Sequence, residues 1–341
     1  MIAFIKTFAV AAVIGGFAGT SVSALAAAPV ANWDAVVAAA KKEGKVVVYS
    51  STFGSLPYKA VTKAFEAAYG IPVETLDIRA SEMYERVRVE LGAQRYIGDV
   101  VIQPRSVVTV IERGHLLQPH LGIPNIANLR SGVQATNVSV PIYTALYGIL
   151  VNGKVSAADE PKSWKDLLDP KWKGKLILDD PRAIGNGFSF FNATYKGLGA
   201  DYQRSLSQQA PVISRQVRND ERRVARGEFP LYAPHNFTFF NEMKGLPVRF
   251  VFPSEGSPNA DQQAVIIKNA PHLNAARLFI NYMLDTQAQT IYANSGVLPV
   301  SNGIAEKANV EVKQMFAVKL LPQVSVDDMD SLMDVAKGLY K

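Results

Sequence analysis

The residues best suited to chemistry in this chain are its scattered arginines and serines and one cluster, "LYAPHNF" at 231–237. A tyrosine, a histidine and an asparagine so close together could hold a metal ion, or could line a pocket for an organic molecule. Asp179 and Asp180 are adjacent carboxylates, a pairing that can serve a metal or general acid–base work. Neighbouring residues of a strand point to opposite faces, so the pair is expected to end a strand, with Asp180 capping the helix that follows. The chain has no cysteine and only four histidines, and it contains neither G-x-S-x-G nor H-E-x-x-H. Thiol catalysis, iron–sulfur clusters and cysteine zinc sites are therefore excluded, and an exported hydrolase, the alternative of another class, has no motif behind it. No catalytic residue, metal ligand or cofactor is expected.

Stronger signals point to anion binding. The chain carries a formal charge of +6, which favours anionic partners. The basic residues are not interleaved with aromatics as in nucleic-acid binders, so no nucleic-acid partner is expected. Ser50, Ser51 and Thr52 offer hydroxyls just after an apolar run, and Arg79 precedes a helix start marked by Ser81, where a guanidinium and free N–H groups converge. Arg182 and Arg218 occupy comparable loops, and "GNG" at 185–187 lets the backbone of Asn186 and Gly187 approach a ligand closely. Arg105 follows Pro104 and is expected to point away; Arg222, Arg223 and Arg226 are expected to form a solvated helix face.

These loops need elements to position them. "KVVVYS" (45–50), "IPVETLDI" (71–78) and "DVVIQ" (99–103) read as buried strands separated by helices, a βαβαβ order that predicts an open, mostly parallel sheet. "IYTALYGILVN" (142–152) is long enough to run from one lobe into another, and adds Tyr143 and Thr144 to the candidate site. A second unit follows, with strands at 175–179, 211–217 and 229–233, a helix near Gly187 and another opened by Asp220. The segment 246–271 reads as a return crossing. Ligands of such sheets sit at the carboxyl ends of the strands, here in a cleft between two lobes. The expected division is 30–143 plus 258–303 for lobe 1 and 144–257 plus 304–341 for lobe 2. Residues 1–26 read as a cleavable secretory signal: Lys6, an apolar run from Phe8 to Phe17, and an A-x-A site at Ala24–Ala26. The mature protein is then expected in the periplasm.

Three stretches carry a resemblance. "PKSWKDLLDPKWKGKLILDDP" (161–181), "IIKNAPHLNAARLFINYML" (266–284) with "GVLPVS" (296–301), and "YSSTFGSLPYKAVTKAFEAAYGIPV" (49–73) resemble periplasmic substrate-binding proteins of ABC importers, in the cluster that contains ferric-iron binders and their relatives. The resemblance implies a type 2 two-lobed α/β fold with two hinge crossings. It also implies a monomer that hands its solute to a membrane permease and ATPase. The iron binders carry two adjacent tyrosines just past the strand equivalent to 229–233, where this chain has Tyr232 followed by Ala233-Pro234-His235. The ligand is therefore expected to be a small organic anion (phosphorylated, phosphonate or carboxylate), with ferric ion as the alternative. Ser51, Thr52, Arg79, Ser81 and Arg182 are expected at the anionic group, and Phe53, Tyr143, His235, Asn236 and Phe237 at the organic part.

Overall fold

The computed structural model describes residues 32–51, 55–78 and 80–341. The expected signal segment, Thr52, Phe53 and Arg79 lie outside the described residues, as does the side chain of Ser81. The strands are β1 (Val46–Ser50), β2 (Val73–Asp77), β3 (Val100–Pro104), β4 (Leu117–Gln118), β5 (Ser139–Asn152), β6 (Leu176–Asp179), β7 (Val212–Ser214), β8 (Leu231–Asn236), β9 (Val248–Val251), β10 (Asn259–Ile267) and β11 (Leu298–Pro299). The first four helices are α1 (Trp33–Glu43), α2 (Leu56–Tyr69), α3 (Ala80–Gly92) and α4 (Arg105–Arg113). Then come α5 (Asn186–Leu198), α6 (Ala200–Gln208), α7 (Val217–Arg226), α8 (Phe237–Asn241), α9 (Leu273–Met283), α10 (Thr286–Asn294) and α11 (Met329–Leu339).

The strands form one curled sheet in the order β2-β1-β3-β10-β5-β8-β6-β7. Each end is parallel: β1 pairs parallel with β2 and β3, and β6 with β7 and β8. Short apolar strands such as "VVVYS", buried along their whole length, suit that position because helices cover both faces. Antiparallel β10 and β5 join the two parallel ends. β5 is buried throughout: residues 139–146 pair with β10, whereas residues 147–152 pair with β8 and β9. One strand thus threads both halves, as its length in the sequence predicts.

Two apolar cores flank this seam. One gathers Val48, Phe65, Ile102, Phe279 and Tyr282 between β1, β3, α2 and α9. The other gathers Trp164, Leu178, Phe190, Phe191 and Tyr340 around β6, α5 and the C-terminal segment. Local signals account for α2: Ser55 stands at its N-cap, proline follows in the first turn, and Gly70 closes it at φ 68° with its N–H on Glu66 O. Three boundaries differ from the sequence reading. The strand expected at 211–217 covers only Val212–Ser214, because α7 begins at Val217 rather than Asp220. The strand expected at 229–233 runs instead from Leu231 to Asn236, continued by pairing of Gly148 with His235 and of Tyr147 with Asn236. Asp180 caps no helix; it accepts from Arg182, and Gly185 stands at the N-cap of α5.

A buried amide ties the seam to the helices. Gln289 Nε2 donates to Ile142 O at 2.8 Å and Met283 O at 2.7 Å, while Oε1 accepts from Val300 N at 2.8 Å. Replacing Gln289 by Leu strands these backbone groups in the core, at a cost of about 2–4 kcal/mol. The expected result is a lower urea midpoint with an unchanged m-value.

Candidate functional site

A cavity of about 600 Å³ opens at the carboxyl ends of β1, β2 and β3, where strand-end topology places it. One wall is a face of β5: Tyr143, Ala145 and Tyr147 alternate into it with the period of two that a strand imposes. Beside it β10 contributes Asn259 through Gln262. The opposite side comes from Ile184, Asn186, Phe188 and Ser189 near the start of α5, with Arg218 and Phe239. Gln323, Val324, Val326 and Met329 of the C-terminal segment complete it.

Three helices open on this cavity without a carboxylate in their first turns: α2 at Ser55 and Pro57, α4 at Arg105 and Ser106, and α5 at Asn186 and Ser189. None of their N-cap residues, Ser55, Pro104 and Gly185, closes the helix with a side-chain hydrogen bond. The N-terminal N–H groups and the positive ends of three helix dipoles are thus turned towards one space. By contrast α1, α6 and α7 each carry an aspartate in the first turn.

The expected site residues divide sharply. Ser51, Tyr143, Asn186, Arg218 and Asn236 line the cavity. Ser51 Oγ donates to Gln103 Oε1 at 2.9 Å, and Asn186 Oδ1 accepts from the Tyr147 hydroxyl at 3.1 Å. Asn236 caps α8 through Thr238 N at 2.8 Å. Arg218 is held by Glu221 and Glu242 and stacks on Phe239 at 4.2 Å, so its charge is already matched. Thr144 is buried behind the wall and donates to Asp261 Oδ1 at 2.6 Å.

Besides Thr144, four expected contacts are not on the wall. The Arg182 guanidinium closes on Asp180 at 2.8 and 3.1 Å, with Arg215 on the same carboxylate. Burial alone would raise the Asp180 pKa, but the two arginines hold it below the usual carboxylate range. His235 is fully buried, with Nε2 on Glu221 Oε2 at 3.2 Å and its ring packed against Tyr232 and Phe250. Its pKa is pushed down by that burial, against the pull of Glu221. Phe237 belongs to an aromatic cluster with Phe240, Phe250 and Phe252. For His235 and Phe237 the physical reason is shared: β8 continues three residues further than its composition predicts, which makes 234–236 strand rather than loop. Gly187 contributes by position. A Cβ there would lie 2.3 Å from Asp179 O and 2.4 Å from Asp180 O, so only glycine lets α5 start this close to β6.

Arg105 contradicts its sequence reading. It stands exposed on the cavity wall at the first residue of α4, and its guanidinium has no partner among the described residues. Asp77, Asp261 and Gln262 were missed, although the carboxyl-end rule covers Asp77 at the end of β2. Tyr147 could have been read from its spacing to Tyr143; nothing local marks the C-terminal wall residues. Among the described residues the cavity is lined by polar and aromatic groups, with no nucleophile hydrogen-bonded to a base.

Residues 99–319 match the family described as bacterial extracellular solute-binding protein. The chain belongs to this family. It is therefore a substrate-binding transport protein of the ABC-importer type and not an enzyme, and family membership implies a periplasmic location and permease and ATPase partners. A solved structure of the substrate-binding protein of an ABC transporter from Agrobacterium tumefaciens is similar at a TM-score of 0.75, with 15% identity over 87% of this chain and 94% of that one. The apo ferric ion-binding protein A of Pasteurella haemolytica gives 0.72, with 22% identity over 87% and 96%. These likenesses establish the two-lobed α/β fold. The spermidine/putrescine-binding periplasmic protein of Escherichia coli is 27% identical over 177 residues, 50% of this chain and 51% of that one, so the match spans about half of that relative. Among the described residues no helix is long and apolar enough to cross a membrane.

Two outcomes follow from the floor of the site. Gly187→Ala drives a methyl into two backbone oxygens and shifts the start of α5, so we expect a loss of about 1–3 kcal/mol in stability together with weakened solute binding. Calorimetry on the purified variant measures both. Asp179, beneath α5, has its pKa raised from 3.8 to about 6, chiefly by burial, although the Tyr232 hydroxyl donates to it at 3.2 Å. Between these values the folded chain keeps a proton that the unfolded chain releases. This group's contribution is therefore greatest below about pH 4 and falls as pH rises through about 6. Asp179→Asn keeps the acceptor for Tyr232, and should remove up to about 3 kcal/mol of that pH dependence in denaturant titrations.

Proposed function

We propose that the protein captures a small organic anion (a phosphonate, phosphate ester or carboxylate) in the cavity at the strand ends and delivers it to an ABC permease. The observation that carries this reading is the convergence on one cavity of three helix N-termini without acidic residues in their first turns and of Arg105, whose guanidinium has no partner among the described residues. Tyr143, Tyr147, Phe188 and Phe239 offer apolar surface for the organic part. A cavity of about 600 Å³ suits a metabolite-sized solute. In this reading lobe 1 (30–143 plus 258–303) and lobe 2 (144–257 plus 304–341) close on the solute by bending where β5 and β10 cross between them. The monomeric chain is exported through cleavage of its N-terminal segment.

Ferric ion, the ligand in the description of the Pasteurella neighbour, is less well served. The two tyrosines on the wall are four residues apart on one strand, about 13 Å along β5, so their phenols do not converge on one cation. Tyr232 is buried against Asp179, away from the cavity.

Isothermal titration of the purified protein against alkylphosphonates, sugar phosphates and dicarboxylates tests the proposal, with ferric citrate and putrescine as the contrasting arms. We expect at least one anion to bind. Arg105→Ala should weaken it about 10- to 100-fold, the scale of a charge-assisted hydrogen bond, while the urea midpoint stays unchanged. Binding of ferric ion alone, or of putrescine alone, would sink the anion reading.

A further inference from the structure

The two apolar cores are joined by the ladder of β5 and β10. Away from that ladder, one charged contact also joins them. Arg113, in the last turn of α4, meets Asp327 across 214 residues of chain. α4 packs on α3, β3 and β10, whereas Asp327 stands just before α11, which packs on α5 and α6. Every other ion pair among the described residues stays within one of these two groups of elements. The backbone that carries Asp327 is fixed: Ser325 Oγ accepts from Asp327 N at 3.1 Å, and Ser325 O accepts from Asp328 N at 3.1 Å. Val324 N donates to Asn192 Oδ1 at 2.7 Å, which fastens this segment to α5. Val326 and Met329, on either side of Asp327, line the cavity, as Arg105 does at the other end of α4. The pair therefore stands at the rim, in water, with its side chains 54% and 81% exposed.

We propose, resting on the lobe closure described above, that Arg113 and Asp327 form a latch that favours the closed arrangement and breaks when the lobes part. An exposed ion pair adds little to a rigid fold, because water screens it and two long side chains lose rotamer freedom. Between two hinged bodies the same small energy acts on the ratio of two states, and there it counts in full. Separating the charges by a Debye length, about 8 Å at physiological salt, removes most of the attraction. The latch is thus short-ranged: it holds lobes that have already met and does not draw distant ones together. Its contribution is set by the pair alone and is independent of which solute fills the cavity.

The chain has no cysteine, so two introduced ones can be labelled cleanly. Val89→Cys on α3 and Val335→Cys on α11 are exposed positions away from the cavity, one in each group of elements. The test is the distribution of spin-label distances between them, measured by double electron–electron resonance on the purified, solute-free chain. We expect a short and a long population. Arg113→Ala and Asp327→Ala should each lower the short-to-long ratio about two- to fivefold, with the urea midpoint unchanged. Raising sodium chloride from about 0.05 to about 0.5 M should lower it similarly with the native pair and not in either alanine variant. Arg113→Asp alone should lower the ratio further, and combining it with Asp327→Arg should restore it. A ratio unmoved by the alanine substitutions, a fall that the charge swap does not restore, or a single invariant distance in every sample overturns the latch. None of these results bears on the chemistry of the solute, which the titrations above decide.

Discussion

β5 pairs with β10 along its first half and with β8 and β9 along its second, and this change of partner in mid-strand organises the molecule. Each parallel end of the sheet has its own core, so the two are linked through the backbone ladder more than through shared side chains. At the changeover Tyr147 N donates both to Pro258 O and to Ser257 Oγ, which fastens β5 to the residues just before β10. The cavity wall is one face of the same ladder. A strand rigid enough to join two cores is also rigid enough to hold Tyr143 and Tyr147 at fixed separation.

Charge is distributed around the cavity by pairing, not by count. Arg182 and Arg215 share Asp180, Arg218 is bracketed by Glu221 and Glu242, and Arg223 meets Asp220 and Glu228. These arginines lie near the site in sequence or space, but their fields are largely spent on neighbours. Arg105 differs because the element that carries it begins at the strand end, with no acidic residue in the first turn to fold back upon. What a charged side chain offers a ligand is set by what it has not already bound.

Much of the architecture is legible in the chain. The apolar runs at 45–50 and 99–103, the long run at 142–152 and the α2 signals around Ser55 and Gly70 are local patterns, and local patterns survive into the structure. Half of the candidate site is not local. Whether Arg182 reaches a solute or Asp180 depends on a turn two residues long, and whether His235 faces a cleft depends on how far β8 stays paired with β5. The residues that line the cavity from β10 and from 323–329 come together only through strand order, which no spacing along the chain encodes. The strand-end rule points to the region where the cavity opens, and pairing decides which of its side chains remain available.

The C-terminal segment is bound into both the cavity and the second core. Gln323 donates to Asn259 O, Val324 N donates to Asn192 Oδ1, and Tyr340 Oη donates to Gln203 Oε1 in the second core. Val326 and Met329 then stand on the cavity wall, opposite residues as early in the chain as Ser51. The cavity thus draws its wall from residues as far apart in sequence as Ser51 and Met329, so its shape depends on contacts that close over nearly the whole described length.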